Sequence, residues 1–199
     1  MLNLTTELDL EFTALELHEL EVREPIADFD AEVAAAESAG RAGSVGDLAA
    51  ARALYRRFGI DPTKVRPSSE ALLRRVKKRD GLPRVNSLVD VANVVSLGLQ
   101  VPIGLYDLDL VEGRLEIKLG LPGEGYEGIR KERVNVAGRI CVADAFGPCG
   151  NPSSDSARTM ITTATERAAW IFFLPVATAD LHRTFELVAE YGRGLARVV

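Results

Sequence analysis

The pattern of hydrophobic and polar positions changes twice along the chain, near residues 25 and 100. Between these points apolar residues recur three and four positions apart, as in Leu72, Leu73 and Val76, which is the spacing of an amphipathic helix. Outside them, short apolar runs alternate with polar residues or end at Gly and Pro, which is typical of strands. The pattern therefore predicts an α+β protein.

Caps and breakers set the expected ends of the helices. The predicted helices span residues 25–38, 47–58, 68–79, 86–97 and 178–191, with Pro25 in a first turn and Asp47, Ser68 or Ser69, Asn86, and Thr178 or Asp180 as caps. Gly59 and Gly98 are expected to end the second and fourth of them.

The β segments are expected to form hairpins. Residues 8–12 and 15–23 pair about Thr13, and residues 101–106 and 114–119 pair about Glu112-Gly113. Residues 140–143 and 168–176 read as buried strands. The Gly/Pro/Asn/Ser segment 146–155 is predicted to be a loop, and its length and polarity favour a functional role.

The 199 residues suffice for one domain with an elaborated end or for two small ones, and we predict an N-terminal extension over 1–60 and a main domain over 61–199. The net charge of −5 conceals a division, because residues 1–38 carry a net −10 and residues 52–84 a net +8. Such asymmetry marks either a surface that faces a polyanion or two segments that neutralise each other.

The sequence lacks the residues and motifs that several classes of enzyme and metal-binding protein need. Cys141 and Cys149 form no metal-binding spacing, and His18 and His182 lie at opposite ends of the chain. Phosphate-loop, dinucleotide-binding and nucleophile-elbow motifs are absent. No run approaches the ~20 apolar residues of a membrane span. We therefore expect no metal, no cofactor, no membrane or DNA partner, and a cytoplasmic location, and the oligomeric state stays open.

Five motifs in order resemble the B3/B4 region of the bacterial phenylalanyl-tRNA synthetase beta subunit, and especially its free-standing relatives. They are Ser-Ser-Glu-Ala-Leu-Leu at 68–73, Leu-Pro-Arg-x-Asn-x-x-x-Asp-x-x-Asn at 82–93, Pro-x-Gly-x-Tyr-Asp at 102–107, Gly-Glu at 123–124 and Asp-x-x-Arg-Thr-x-x-Thr at 155–162. They cover roughly 110 residues from Arg66 to Pro175, and their order is more specific than any one of them.

The resemblance implies a layered β-sandwich-like core with flanking helices, and an editing pocket that hydrolyses wrongly charged aminoacyl-tRNA. In the synthetase pattern a Thr-Asn pair on the central helix and a His just before Ala-Phe-Asp line that pocket. This chain has Ala92-Asn93 and Gly104 at those positions. Asn93 and Asp107 are retained, whereas the threonine and the histidine are not.

Residue roles follow from the resemblance and from polar positions within apolar segments, which need hydrogen-bond partners. Asn93 and Asp107 are the expected catalytic residues. The expected substrate-binding residues are Asn86, Gly104, Asn151, Ser154, Arg158 and Thr159, and the expected RNA-binding residues are Arg74, Arg75, Lys77, Lys78 and Arg84.

Some of these polar residues also have a purely structural interpretation. Asn86 also fits a helix cap, Arg158 an ion pair with Asp155 or Glu166, and Asp90 and Asp144 anchors for backbone N–H groups.

The sequence leaves three functional hypotheses. The first is a stand-alone deacylase that clears mischarged aminoacyl-tRNA. The second is a non-catalytic module that binds RNA or an amino-acid-like ligand. The third is an enzyme acting on a free small molecule, in which the acidic N-terminal segment shields the basic helix from RNA.

Overall fold

Five helices and eleven strands are present in the computed structural model, which describes residues 2–129 and 132–199. The helices are α1 (Asp30–Ala42), α2 (Leu48–Arg57), α3 (Ser68–Lys77), α4 (Ser87–Leu99) and α5 (Thr178–Leu187). A short 3-10 turn, Ala27–Phe29, precedes α1, and a π-type turn, Val188–Gly192, follows α5.

The strands form two sheets and one hairpin. They are β1 (Leu4–Thr6), β2 (Thr13–His18), β3 (Ile103–Asp107), β4 (Leu115–Leu119), β5 (Gly125–Glu127), β6 (Arg133–Asn135), β7 (Ile140–Asp144), β8 (Gly147–Asn151), β9 (Ser154–Asp155), β10 (Ala168–Phe172) and β11 (Leu195–Val198). One sheet has the order β1-β4-β7-β8-β9, the other β11-β2-β10-β3, and β5 pairs with β6.

The layers are sheet, sheet and helices, and β10 lies between two cores. Its Ala169 and Ile171 belong to the apolar core between the sheets, while Trp170 and Phe172 belong to the core against the helices. All five residues of β10 are buried, because neither face of the strand meets water. This explains the uninterrupted apolar run, and the predicted α+β layered fold is confirmed.

Both predicted hairpins are wrong. Residues 8–12 form no strand, and the strands of the second predicted hairpin separate into different sheets. β1 pairs in parallel with β4, while β2 pairs with β10 and β11. Likewise β3 pairs with β10, while β4 pairs with β7. A period-2 pattern identifies a strand and its buried face, but each apolar face is covered by residues distant in sequence.

The segment predicted as a loop at 146–155 contains two strands. β8 pairs with β7 across a register shift at Val142/Ala143, and β9 pairs with β8. Glycine, proline and serine have low strand propensity, so the sequence did not reveal these two strands, of which β9 is the edge of the sheet. β1, β5, β6 and β11 were also missed.

The helix ends agree with some of the caps. The side chains of Asp47 and Asn86 accept from the backbone N–H groups of Ala49 and Val89, as predicted. The predicted serine cap of α3 is wrong, since Pro67 precedes that helix without a side-chain cap. α4 ends at Gln100, in the left-handed conformation, rather than at Gly98.

A buried glutamate links the N-terminal segment to the end of the chain. Glu16 in β2 is 0% exposed and accepts from the Leu2 backbone N–H at 2.6 Å and from the Arg197 guanidinium on β11. β2 itself lies between β11 and β10. The division at residues 60/61 stays a prediction, and residues 4–18 supply strands to both sheets.

Ion pairs join the acidic and basic segments at two points. Arg57 pairs with Asp9, and Arg84 pairs with Asp30 and with buried Asp90. Arg74, Lys77 and Lys78 form no ion pair within residues 2–129 and 132–199, so this part of the basic charge faces solvent. No helix in the same ranges is long and apolar enough to cross a membrane.

Candidate active site

A pocket of about 260 Å³ lies where four of the motif-bearing segments meet. α3 and α4 supply one side, β3 the floor, and the turn between β8 and β9 the rim. Its lining residues are Ser68, Ala71, Leu72, Val89, Ala92, Asn93, Ser96, Ile103, Leu105, Ser153, Ser154 and Asp155. Half of these side chains are apolar and half carry hydroxyl, amide or carboxylate groups, so the pocket offers both apolar contacts and hydrogen-bonding groups.

Larger cavities lie elsewhere. One of about 560 Å³ is lined by His18, Glu19, Glu166, Arg167 and residues 195–197, at the far end of the second sheet. Another of about 390 Å³ follows α3. We identify the 260 Å³ pocket as the candidate site because it lies where the motif residues converge, and volume alone does not identify chemistry.

Asn93 and Ser154 are the two predicted site residues that line the pocket. Half-buried Asn93 lies on α4, and its Nδ2 donates to the Pro83 carbonyl at 3.4 Å. The backbone N–H of Ser154 donates to the Asn151 side-chain oxygen at 3.0 Å. The Asn93 amide therefore keeps a second N–H for a ligand.

Asp107 does not line this pocket, so its predicted catalytic role has no support from position. It is 5% exposed, and its two carboxylate oxygens accept from the Thr165 hydroxyl at 2.6 Å and from the Asp109 backbone N–H at 3.0 Å. Both contacts hold the end of β3, which is a structural task.

Arg158 is also structural. Its guanidinium binds both carboxylate oxygens of Asp144 at 2.8 Å, so the ion pair is real but the predicted partners Asp155 and Glu166 were wrong. Asp144 additionally accepts from the Glu112 and Phe146 backbone N–H groups, as an anchor should.

Four other predicted binding residues lie in the framework beside the pocket. Asn86 caps α4, and its Nδ2 donates to the Ile161 carbonyl. Asn151 holds the turn that carries Ser153 and Ser154. Thr159 is 0% exposed. Gly104 pairs with Ile171 in the sheet, and its flanking residues Ile103 and Leu105 contact the pocket instead.

Sequence reasoning missed several lining residues. Ser68 begins α3, and its hydroxyl has no hydrogen-bond partner among the described residues. Asp155 is the one carboxylate among the lining residues, and its Oδ2 accepts from the Leu105 backbone N–H at 3.3 Å. Ser68 lies in the motif at 68–73 and Asp155 in the motif at 155–162. The motifs therefore pointed to the right segments, but the site roles were assigned to neighbouring residues.

Two tyrosines hold the turn at the rim. Ser153 Oγ donates to the Arg66 carbonyl at 2.8 Å, so the Tyr55 hydroxyl, 2.6 Å away, is the donor to Ser153 Oγ. The Tyr126 hydroxyl donates to the Ser154 carbonyl at 2.5 Å. α2 and β5, which contribute nothing to the lining, thereby fix the position of the rim.

Replacing Tyr55 by phenylalanine is expected to lower the free energy of unfolding by about 1 kcal/mol, because the half-buried Ser153 Oγ loses its donor. Amide hydrogen exchange at Ser153 and Ser154 should become faster, while exchange in β10 stays slow. The control is Tyr191→Phe, a buried tyrosine distant from the turn. Equal acceleration in both variants would mean that Tyr55 acts only on global stability.

The described residues contain no group of three or more His, Cys, Asp and Glu side chains arranged to hold a metal ion. Both thiols are buried, and burial raises the pKa of Cys141 and of Cys149 to about 12. Among the described residues that line the pocket there is no histidine, so this lining contains no imidazole base.

Comparisons with known proteins agree with the fold. The chain is 35% identical to the phenylalanine–tRNA ligase beta subunit of Ralstonia nicotianae over 126 residues, which is 61% of this chain and 16% of that protein. It is 28% identical to the Corynebacterium diphtheriae subunit over 148 residues, 71% of this chain and 17% of that protein. The chain thus spans about a sixth of these relatives.

A solved structure extends the likeness to nearly the whole chain. The N-terminal fragment of the phenylalanyl-tRNA synthetase beta subunit from Pyrococcus horikoshii matches with a TM-score of 0.52 and 13% identity, covering 98% of this chain and 49% of that one. A family profile described as B3/4 domain matches residues 50–192, most of the chain and all of the pocket lining. The chain therefore belongs to the B3/4 domain family.

Proposed function

We propose that the pocket between α3, α4 and the β8–β9 turn hydrolyses the ester bond of mischarged aminoacyl-tRNA, acting in trans. The observation that supports this best is the set of amide and hydroxyl groups, from Asn93, Ser68, Ser153 and Ser154, around a cavity in a B3/4 domain. A cytoplasmic location is part of the same proposal.

An ester needs little chemical help to hydrolyse. A bound water attacks the carbonyl carbon, the bond to the ribose oxygen breaks, and that oxygen takes up the proton. The site must hold the two reactants together and stabilise negative charge on the carbonyl oxygen. The free N–H of Asn93 is a donor suited to that oxygen.

The experiment is a deacylation assay over a panel of mischarged tRNAs. At least one substrate should be hydrolysed, and Asn93→Asp, which keeps the shape but loses the donor, should lower kcat roughly 100-fold. Asn135→Asp, on β6, is the control and should leave kcat unchanged. The folded state of each variant is checked by its thermal unfolding midpoint.

A second candidate is a non-catalytic module of the same fold that binds RNA or an amino-acid-like ligand. The lack of a histidine among the described lining residues favours it. Binding of a charged tRNA without any turnover across the panel would establish this candidate and reject the deacylase.

A further inference from the structure

Helix α3 carries one continuous face from the pocket to a basic groove. Ser68, Ala71 and Leu72 line the pocket, and Ala71 and Leu72 also line the 390 Å³ groove with Arg75 and Lys78. These positions are three and four residues apart, so they lie on one side of the helix. The pocket and the groove therefore share a wall and are neighbours.

The groove is cationic in a protein whose net charge is −5. Arg66, Arg74, Arg75 and Lys78 line it, against the single carboxylate of Asp80. The Arg75 guanidinium donates to the carbonyls of Gly81 and Asp80, which fixes its position and leaves its charge uncompensated.

The nearby acidic side chain of Glu70 does not cancel this charge. Both of its oxygens accept from Arg52, at 2.7 and 2.9 Å, on the α2 side of the helix. These bonds lower the pKa of Glu70 most, and Arg66 and Arg74 lower it further. Glu70 is thus already neutralised by Arg52, and the groove keeps its positive potential.

We propose that this groove binds the phosphodiester backbone of a single-stranded RNA 3′ end, whose terminal aminoacyl ester then enters the pocket past Ala71 and Leu72. The proposal rests on the proposed deacylase function and names its RNA contacts. α3 is 10 residues long, or about 15 Å, so it follows a few phosphates only.

The groove changes the set of expected RNA-binding residues. Arg66 joins Arg74, Arg75 and Lys78. Lys77 is exposed but does not line the groove, and Arg84 is held by Asp90 and Asp30. The proposed contacts are therefore those of the groove with the 3′ end.

The test uses a hairpin RNA with a single-stranded 3′ end that carries an amide-linked amino acid, which cannot be hydrolysed. Binding is measured from low to high salt. Neutralising single-strand phosphates gives a slope of about −0.7 per contact in a plot of log affinity against log salt. The double variant Arg74→Gln with Lys78→Gln should lose about 1.4 from that slope and bind roughly tenfold more weakly at low salt.

A matched control removes the same charges elsewhere. Arg56→Gln with Lys64→Gln takes one arginine and one lysine from exposed positions outside the groove, on α2 and between α2 and α3. This control should keep the wild-type slope. An equal loss of slope in both double variants, or no loss in the groove variant, would overturn the proposal.

A separate measurement distinguishes failure of the groove from failure of the chemistry. A small aminoacyl ester that lacks RNA reports on the pocket alone, and the groove variant should hydrolyse it at the wild-type rate. If the wild-type protein shows no hydrolysis at all but its binding keeps the salt dependence, the deacylase function is rejected and RNA binding by the groove is retained. If the wild-type protein hydrolyses the small ester but its RNA affinity does not depend on salt, RNA binding by the groove is rejected.

Discussion

Replacing Gly104 by alanine is expected to destabilise the fold by about 2–3 kcal/mol, because Tyr106 occupies the space that a side chain would need. A β-carbon on Gly104 would lie 2.5 Å from the Tyr106 hydroxyl oxygen and 3.0 Å from two of its ring carbons. Tyr106 is 0% exposed and enclosed between the sheets, so its ring has little room to move.

The double variant Gly104→Ala with Tyr106→Phe should recover more than 1 kcal/mol of that loss. Phenylalanine removes the atom in closest contact and leaves ring carbons at 3.0 Å. The Tyr106 hydroxyl is buried without a partner among the described residues, so Tyr106→Phe by itself should be neutral or slightly stabilising. Urea unfolding of the four proteins gives the coupling energy directly.

Gly98→Ala is the control for this cycle. Gly98 lies in α4, is exposed, and has no atom within 4 Å of the position of a β-carbon. Alanine should therefore stabilise the protein by roughly 0.5–1 kcal/mol. If Gly104→Ala were as well tolerated as Gly98→Ala, the close contact with Tyr106 would be refuted.

This contact also bears on the residue that the synthetase pattern has in place of Gly104. A histidine at this position would meet the Tyr106 phenol at once, so Gly104→His alone should unfold the protein rather than restore a catalytic imidazole. The proposed hydrolysis therefore rests on Asn93 and the serines of the pocket lining.

Replacing Asp144 by asparagine is expected to cost about 2–3 kcal/mol at neutral pH. Its side chain is fully buried and accepts from Arg158 and from two backbone N–H groups. Burial by itself raises the pKa of Asp144, but these hydrogen bonds outweigh it and hold the pKa below its ordinary value. Arg158 is 34% exposed, so water compensates part of its loss.

The direction of this pKa shift fixes the pH dependence. The unfolded chain binds the proton more tightly, so the contribution of Asp144 is complete above the ordinary value of about 4 and is lost as the pH falls through the depressed folded value. The difference between the wild-type protein and Asp144→Asn in urea unfolding should therefore be largest near pH 7 and shrink towards pH 3.

An exposed ion pair serves as the comparison. Asp109 and Arg167 lie 3.3 Å apart with side chains about half exposed, so Asp109→Asn should change the free energy of unfolding by no more than about 0.5 kcal/mol. A constant difference across the pH range for Asp144→Asn would show that Asp144 contributes through packing alone.

The sequence by itself determined the helices and the strands with strong periodicity, since these depend on local spacing and caps. The cap of α4 by Asn86, the buried run of β10 and the segments that meet at the pocket all follow from residues close together in the chain. Ordered motifs likewise identified the family before any contact was known.

Only the tertiary structure decided which strands pair and which polar residues face the pocket. β3 and β4 adjoin in sequence but separate into different sheets, and Tyr106 of β3 shares the core between these sheets with Leu115 and Ile117 of β4. A polar residue in an apolar segment indicates a hydrogen bond, but the sequence does not identify the partner. Asp107 accepts from Thr165 and Arg158 pairs with Asp144, whereas Asn93 keeps an N–H for the cavity, because burial and partners are set by elements distant in sequence.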